Sequence, residues 1–158
     1  MMNLEQSISQ SHFSSEQEKF MINVIYTSNL FSLISTRLFK PFDLSPEQYN
    51  VLRILRGQKG QSISLLEIEH RMLDKSSNVS RLLDKLSVKS FIKRDSSKED
   101  RRKIEITISN TGLQVLHQID LLLDDLYSQL KSIISHDEAK LANSILDKSR
   151  TIENHYIK

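Results

Sequence analysis

The chain has 158 residues, 22 Lys/Arg against 20 Asp/Glu, 38% apolar and 27% charged side chains, and no cysteine. That length suits one compact domain, or one domain with a dimerising extension, and the missing cysteines exclude a disulfide framework, a thiolate metal site and a thiol-based peroxide sensor. No apolar run approaches the roughly 20 residues of a membrane span. The first residues, "MMNLEQSISQSHFSSEQE", have neither the basic nor the apolar region of a signal peptide. The expectation is a bacterial-type cytoplasmic protein with no membrane partner.

Only three glycines and two prolines punctuate the chain, which argues for mostly helix. The first dozen residues read as a disordered lead-in. A long helix is expected from about Ser15 to Phe39, with Phe20, Val24, Phe31, Ile34 and Leu38 on one stripe. A second should span Pro46 to Gly57 and bury Tyr49, Leu52 and Leu55. A short extended piece at Ser62–Ile63 precedes a third helix, about Leu65 to Met72, and a fourth runs from about Lys75 to Lys89. Two strands follow, Ile92 to Asp95 and Lys103 to Ile108, then helices from about Asn110 to Ile134 and Asp137 to Tyr156. Four serines open helices at capping-box spacing: Ser15-x-x-Glu18, Ser45-x-x-Gln48, Ser64-x-x-Glu67 and Ser135-x-x-Glu138. In such a box the hydroxyl takes an orphan backbone N–H and the side chain three residues on reaches back.

The strand pair follows from "RDSSKEDRRKIEITI", residues 94–108. Ile104, Ile106 and Ile108 alternate with Lys103, Glu105 and Thr107, the period of a half-buried strand, and Ser96–Arg102 would form the tip of a hairpin. Three helices followed by a two-stranded hairpin is the order of a winged helix-turn-helix. The fold class expected is therefore mainly α with a small β-hairpin wing.

In such a fold the fourth helix reads DNA. Val79, Leu82, Leu83 and Leu86 form one apolar stripe, and at 100° per residue Ser77, Arg81 and Asp84 point away from it, with Ser80 and Lys85 on the shoulders. Ser76 and Asn78 fall in the first turn, the end that enters the major groove. Small hydroxyls let the helix approach the bases, while Arg and Asn can bond guanine and adenine edges bidentately. The alternative from the wheel alone is a solvated face carrying an Arg81–Asp84 pair at i, i+3. Charge placement favours DNA. Residues 75–103 hold ten Lys/Arg and four acids, +6 in a chain whose total is +2, leaving −4 for all the rest. Concentrating the positive charge on one helix and one hairpin is the footprint of a phosphate-binding surface.

The segments "LSPEQYNVLRIL" and "VSRLLDKLSVKSFIKRDSSKEDRRKIEITISNTG" resemble the MarR family of winged helix-turn-helix transcriptional regulators. The wing signature D-x-R, alternating apolar residues and then T/S-x-x-G appears as Asp100-Arg101-Arg102 through Ser109–Gly112, and it follows V-S/T-R-L-x-D-K/R-L at Val79–Leu86. Leu73 departs from the pattern, standing where many relatives carry glycine. The resemblance implies a homodimer in which the first and last two helices of each subunit interlock: residues 1–40 as an N-terminal dimerisation helix, 41–110 as the DNA-binding domain and 111–158 as C-terminal dimerisation helices. Leu113, Leu116, Ile119, Leu121, Leu122, Leu123 and Leu126 fit that expectation, being too many for one intrachain stripe, the alternative being that the surplus faces the last helix of the same subunit. Two-fold symmetry would call for a palindromic operator in double-stranded DNA, and the expected role is repression. By the family's pattern Arg102 reads the minor groove, Arg101, Lys98 and Lys103 hold phosphates, and Asp100 fixes the wing arginine. Family members often take small aromatic or phenolic effectors, and Tyr26, Phe31, Phe42 and Tyr49 could border such a cleft, the alternative at helical spacing being that they belong to the core.

An enzyme is not expected, since the chain has no G-x-S-x-G and no P-loop. His12, His70, His117, His136 and His155 share no ligand-like spacing, so no metal and no cofactor is expected. The competing reading is a winged helix used for protein–protein contact or RNA. The wing arginine pair beside a Ser/Asn/Arg helix face separates the two, because such a module has no need of it.

Overall fold

The computed structural model describes residues 2–96 and 104–156. Helix α1 (Leu4–Ile8) is followed by the long α2 (Glu16–Phe39), a 3-10 turn at Lys40–Phe42, α3 (Pro46–Arg56), strand β1 (Ile63–Ser64), α4 (Leu65–Arg71) and α5 (Val79–Val88). Strands β2 (Ile92–Ser96) and β3 (Ile104–Ile108) come next, then α6 (Asn110–Ile133), α7 (His136–Ser149), a second 3-10 turn and α8 (Glu153–Tyr156). The fold is a winged helix, mostly helical with a small antiparallel sheet. Its chain groups into two compact units, Met1–Leu116 and His117–Lys158.

In the first unit α3 packs against α2, α4, α5 and β3, so it is the centre of the domain. Val51, Leu52 and Leu55 from α3, Ile68 from α4, Val79, Leu83 and Leu86 from α5, and Ile106 from β3 are all sealed from solvent. The sheet has the order β1-β3-β2, with Ile63 opposite Ile106 and Arg94 also opposite Ile106 on the other edge. The two-residue extended piece thus makes a third strand. It reaches only Ile106 and Glu105, so Ile104, beyond its end, is exposed, while Ile106 is buried and Ile108 half-buried.

All four serines cap their helices, and three complete the reciprocal box. At the fourth, the Glu18 carboxylate reaches past Ser15 to the backbone and hydroxyl of Ser14. The lead-in expected to be disordered is in part helical. Asn3 and Gln6 cap α1 reciprocally, Leu4 is buried, and Glu5 forms an ion pair with Lys19 of α2. The last helix is interrupted by the 3-10 turn at Arg150–Ile152.

The main correction concerns the helix expected from Lys75. It starts at Val79, four residues later. The Asp74 carboxylate accepts the N–H and hydroxyl of Ser76 and the hydroxyl of Ser77, a local bonding pattern that competes with the helical ladder. Asn78 then caps the helix, its Oδ1 accepting the N–H of Arg81 at 3.0 Å.

The long helices divide differently. Along α6, Leu116, Ile119 and Leu123 are buried at i, i+3 and i+7, whereas Leu121 and Leu122 are exposed and Leu126 is half-buried. On α2 only Phe39 is buried, and Phe20, Val24 and Phe31 of the expected stripe are exposed. Helix α7 buries nothing and exposes Leu141 and Ile145.

Candidate nucleic-acid interface

Helix α5 sorts its residues as a recognition helix must. Val79, Leu83 and Leu86 are buried, Leu82 is half-buried, and Ser80, Arg81, Asp84 and Lys85 are exposed on the other side. The i, i+3 alternative does not form. Asp84 instead pairs with Arg94 of β2, with 2.8 Å between Oδ1 and Nη1. That bond joins α5 to β2 and gives no counter-charge to Arg81, whose guanidinium has no ion pair among the described residues. An exposed guanidinium without a carboxylate partner can fork onto a guanine edge or a phosphate.

Ser76, Ser77 and Asn78 sit before the helix rather than in its first turn. Ser76 and Asn78 are exposed and Ser77 is half-buried. Both hydroxyls donate to Asp74, so toward DNA they offer lone pairs, and Asn78, with its oxygen engaged in the cap, offers its amide N–H groups. The Ser76 hydroxyl, then the Ser76 backbone N–H and then the Ser77 hydroxyl, all bonded to Asp74, hold its carboxyl below its ordinary pKa.

The far end of α5 is tied as well. Lys89, its C-cap, donates to the main-chain oxygen of Asp43 and pairs with the Asp43 carboxylate at 2.9 Å. Asp43 adopts φ 53° after the 3-10 turn that ends α2, a left-handed conformation that Asp tolerates better than most residues. The expected wing residues Lys98, Asp100, Arg101, Arg102 and Lys103 lie outside the described residues. On the wing strand, Lys93, Arg94 and Asp95 are exposed.

The T/S-x-x-G end of the wing signature has a structural reason. Ser109 donates its hydroxyl to the carbonyl of Ser90 at 2.7 Å and accepts the N–H of Gly112 at 3.0 Å. A Cβ at Gly112 would lie 2.3 Å from the carbonyl oxygen of Phe91 and 2.9 Å from Ile108 Cγ1. The pair closes the base of the wing onto the start of α6, and only glycine fits there.

Of the aromatic residues expected at an effector cleft, Tyr26 and Phe31 are exposed on α2 and Phe42 is half-buried in the 3-10 turn. Tyr49 is buried and stacked on Phe39, ring centroids 4.3 Å apart. Among the described residues no group of three or more His, Asp or Glu could hold a metal ion, and no helix is long and apolar enough to cross a membrane. Sequence reasoning offered Asp74 only as a candidate helix cap, and it missed the contacts of Arg94 and Lys89. The signal for Asp74 was present in D-x-S-S, a pattern that favours side chain to backbone bonds over helix. The Arg94 and Lys89 contacts join positions too far apart in the chain to be read locally.

Comparison with known proteins places this geometry. The model of the MarR family matches residues 44–104, which span the α3-to-β3 core. The chain is similar to the HTH-type transcriptional regulator PapX of Escherichia coli, 26% identical over 114 residues that cover 72% of this chain and 70% of that one. Among solved structures it resembles the C80S mutant of E. coli MarR complexed with operator DNA, with TM-score 0.74 at 20% identity over 88% of this chain and 99% of that one. It also resembles the S. aureus MepR–DNA complex, with TM-score 0.70 at 20% identity over 84% and 94%.

Proposed function

We propose that the chain is a DNA-binding transcriptional regulator of the MarR family, a reading supported by the family model over residues 44–104 and by the relatives, and that it acts as a homodimeric repressor on a palindromic operator. Helix α5 enters the major groove. Arg81 and Asn78 face base edges, Ser76, Ser77 and Ser80 let the backbone come close, and Lys85 lies on phosphate. In the same reading Arg102 occupies the flanking minor groove, oriented by Asp100, and Lys98, Arg101 and Lys103 lie on phosphates.

The observation that carries the reading is the separation of faces on α5: an apolar stripe spent on the core except for half-buried Leu82, and opposite it an arginine with no ion pair among the described residues, since Asp84 is held by Arg94. The dimer is supported by the apolar side chains that α2, α6 and α7 leave in solvent in the single chain, Ile25 at 54%, Leu121 at 62% and Leu141 at 62% among them. Large apolar side chains left in solvent in such number mark surfaces that bind protein. A two-fold dimer would present two copies of α5 about one DNA turn apart.

The test is light scattering combined with a duplex titration across salt. A dimer whose DNA affinity falls by orders of magnitude between about 50 and 200 mM salt is expected, because each phosphate contact releases counterions. A monomer, or binding indifferent to salt, contradicts the reading.

A further inference from the structure

The seven residues from Met72 to Asn78 separate α4 from α5 and carry three of the residues assigned to DNA, Ser76, Ser77 and Asn78. Most of the hydrogen bonds there are local. Met72 N–H donates to Glu69, Ser77 N–H to Asp74, Ser76 and Ser77 donate to the Asp74 carboxylate, and Lys75 donates to the carbonyl of His70. Such bonds give the turn its shape without placing it on the domain. The burial of Met72 and Val79 anchors its two ends.

One further bond reaches out of the turn. The backbone N–H of Leu73 donates to Asn50 Oδ1 at 2.9 Å, 23 residues back in the chain. Asn50 lies in the middle of α3 between Tyr49 and Val51, only 9% exposed on a helix that otherwise buries mainly apolar side chains. A carboxamide in such a position is costly unless bonded. Leu73 itself is 81% exposed, so water could take over its N–H if Asn50 were lost. The bond therefore does more to fix where the turn sits than to hold the domain together.

We propose that Asn50 is a positioning residue for DNA reading: it pins the backbone at Leu73 to the centre of the domain and so sets where Ser76, Asn78 and the start of α5 meet the bases. This rests on the DNA-binding reading above. Asn50 touches no base and acts only through the turn. Contacts to base edges need placement within about 0.5 Å, whereas contacts to phosphates tolerate looser placement. Losing the tether should therefore cost discrimination before it costs binding.

The experiment compares wild type, Asn50→Leu, which keeps the volume and removes the acceptor, and Asn50→Asp, which keeps an acceptor for the Leu73 N–H. The probes are a duplex selected by the wild type from a random pool and a scrambled duplex of the same length. Asn50→Leu should bind the selected duplex about tenfold more weakly, bind the scrambled duplex as wild type does, and melt within a few degrees of it. Asn50→Asp should stay within about twofold of wild type on both. Amide exchange without DNA should show Leu73 exchanging faster in Asn50→Leu while Val79–Val88 stays protected. An Asn50→Leu that keeps wild-type discrimination, an Asn50→Asp that loses as much as Asn50→Leu, or an Asn50→Leu that melts far below wild type overturns the proposal, the last because Asn50 would then serve the core. A wild type that binds both duplexes alike overturns the DNA reading itself, and the Leu73 exchange rate reports on the tether independently of that result.

Discussion

Helix α5 and helix α7 have similar amphipathic sequences and opposite fates in the single chain. Helix α5 buries Val79, Leu83 and Leu86 completely and turns its polar side to solvent. Helix α7 carries Leu141, Ile145 and Leu146 and buries none of them. Burying a leucine side chain is worth about 2 kcal/mol, so a helix that leaves its apolar residues in water is waiting for something to cover them. One region is finished by its own chain. The other is finished, in the reading proposed here, by a second copy.

Paired substitutions break or sharpen that contrast. Leu86→Ala opens a cavity in the centre of the winged domain and should cost about 2–5 kcal/mol in denaturant unfolding. Leu141→Asp should do little to a lone chain, within about half a kcal/mol as for other surface changes. In a dimer it buries an unpaired charge, so dissociation measured by sedimentation should rise by about a hundredfold or more. A Leu141→Asp protein that associates as wild type does would remove α7 from the interface.

The smallest expected effect lies in the helix caps. Hydrogen bonds from the Ser64 backbone N–H and then its hydroxyl hold the Glu67 carboxyl below its ordinary pKa; for Glu138 the Ser135 hydroxyl leads and its backbone N–H follows. A folded-state pKa below the unfolded one means that the stabilisation is whole above the unfolded value, about 4.3, and is lost as pH falls through the lowered folded value. Melting temperature should therefore be flat from pH 7 to about 5 with respect to these groups and decline below about 4. Glu67→Gln keeps the box, as Gln48 does at Ser45, and should flatten part of that decline. An unchanged acid profile in Glu67→Gln would mean that the cap carboxylate contributes nothing measurable.

What could be read from the sequence was whatever is written locally. Serine caps, the period of Ile104–Ile108 and the apolar stripe of α5 depend on neighbours a few residues apart, and they gave the order of elements and the face of Arg81. The start of α5 was misplaced at Lys75 although its apolar stripe begins only at Val79, and the Asp74 side chain bonds the intervening backbone in another way. The Asp84–Arg94 pair was missed because Arg81 is nearer in sequence, although Arg94 is brought within 2.8 Å by the sheet. The surplus of leucines on α6 was legible as a count. Which of them are covered became visible only from the fold, where Leu116, Ile119 and Leu123 face inward and Leu121 and Leu122 do not.

The central claim, that the exposed face of α5 reads base sequence, is tested most directly by titrating wild type and Arg81→Ala against a duplex selected by the wild type and against a scrambled duplex at one salt concentration. Arg81→Ala should lose about 1–3 kcal/mol per half-site on the selected duplex and much less on the scrambled one, with the melting temperature of the protein unchanged. Equal losses on both duplexes would mean that Arg81 touches only phosphate, and no loss on either would mean that this face of α5 does not read DNA.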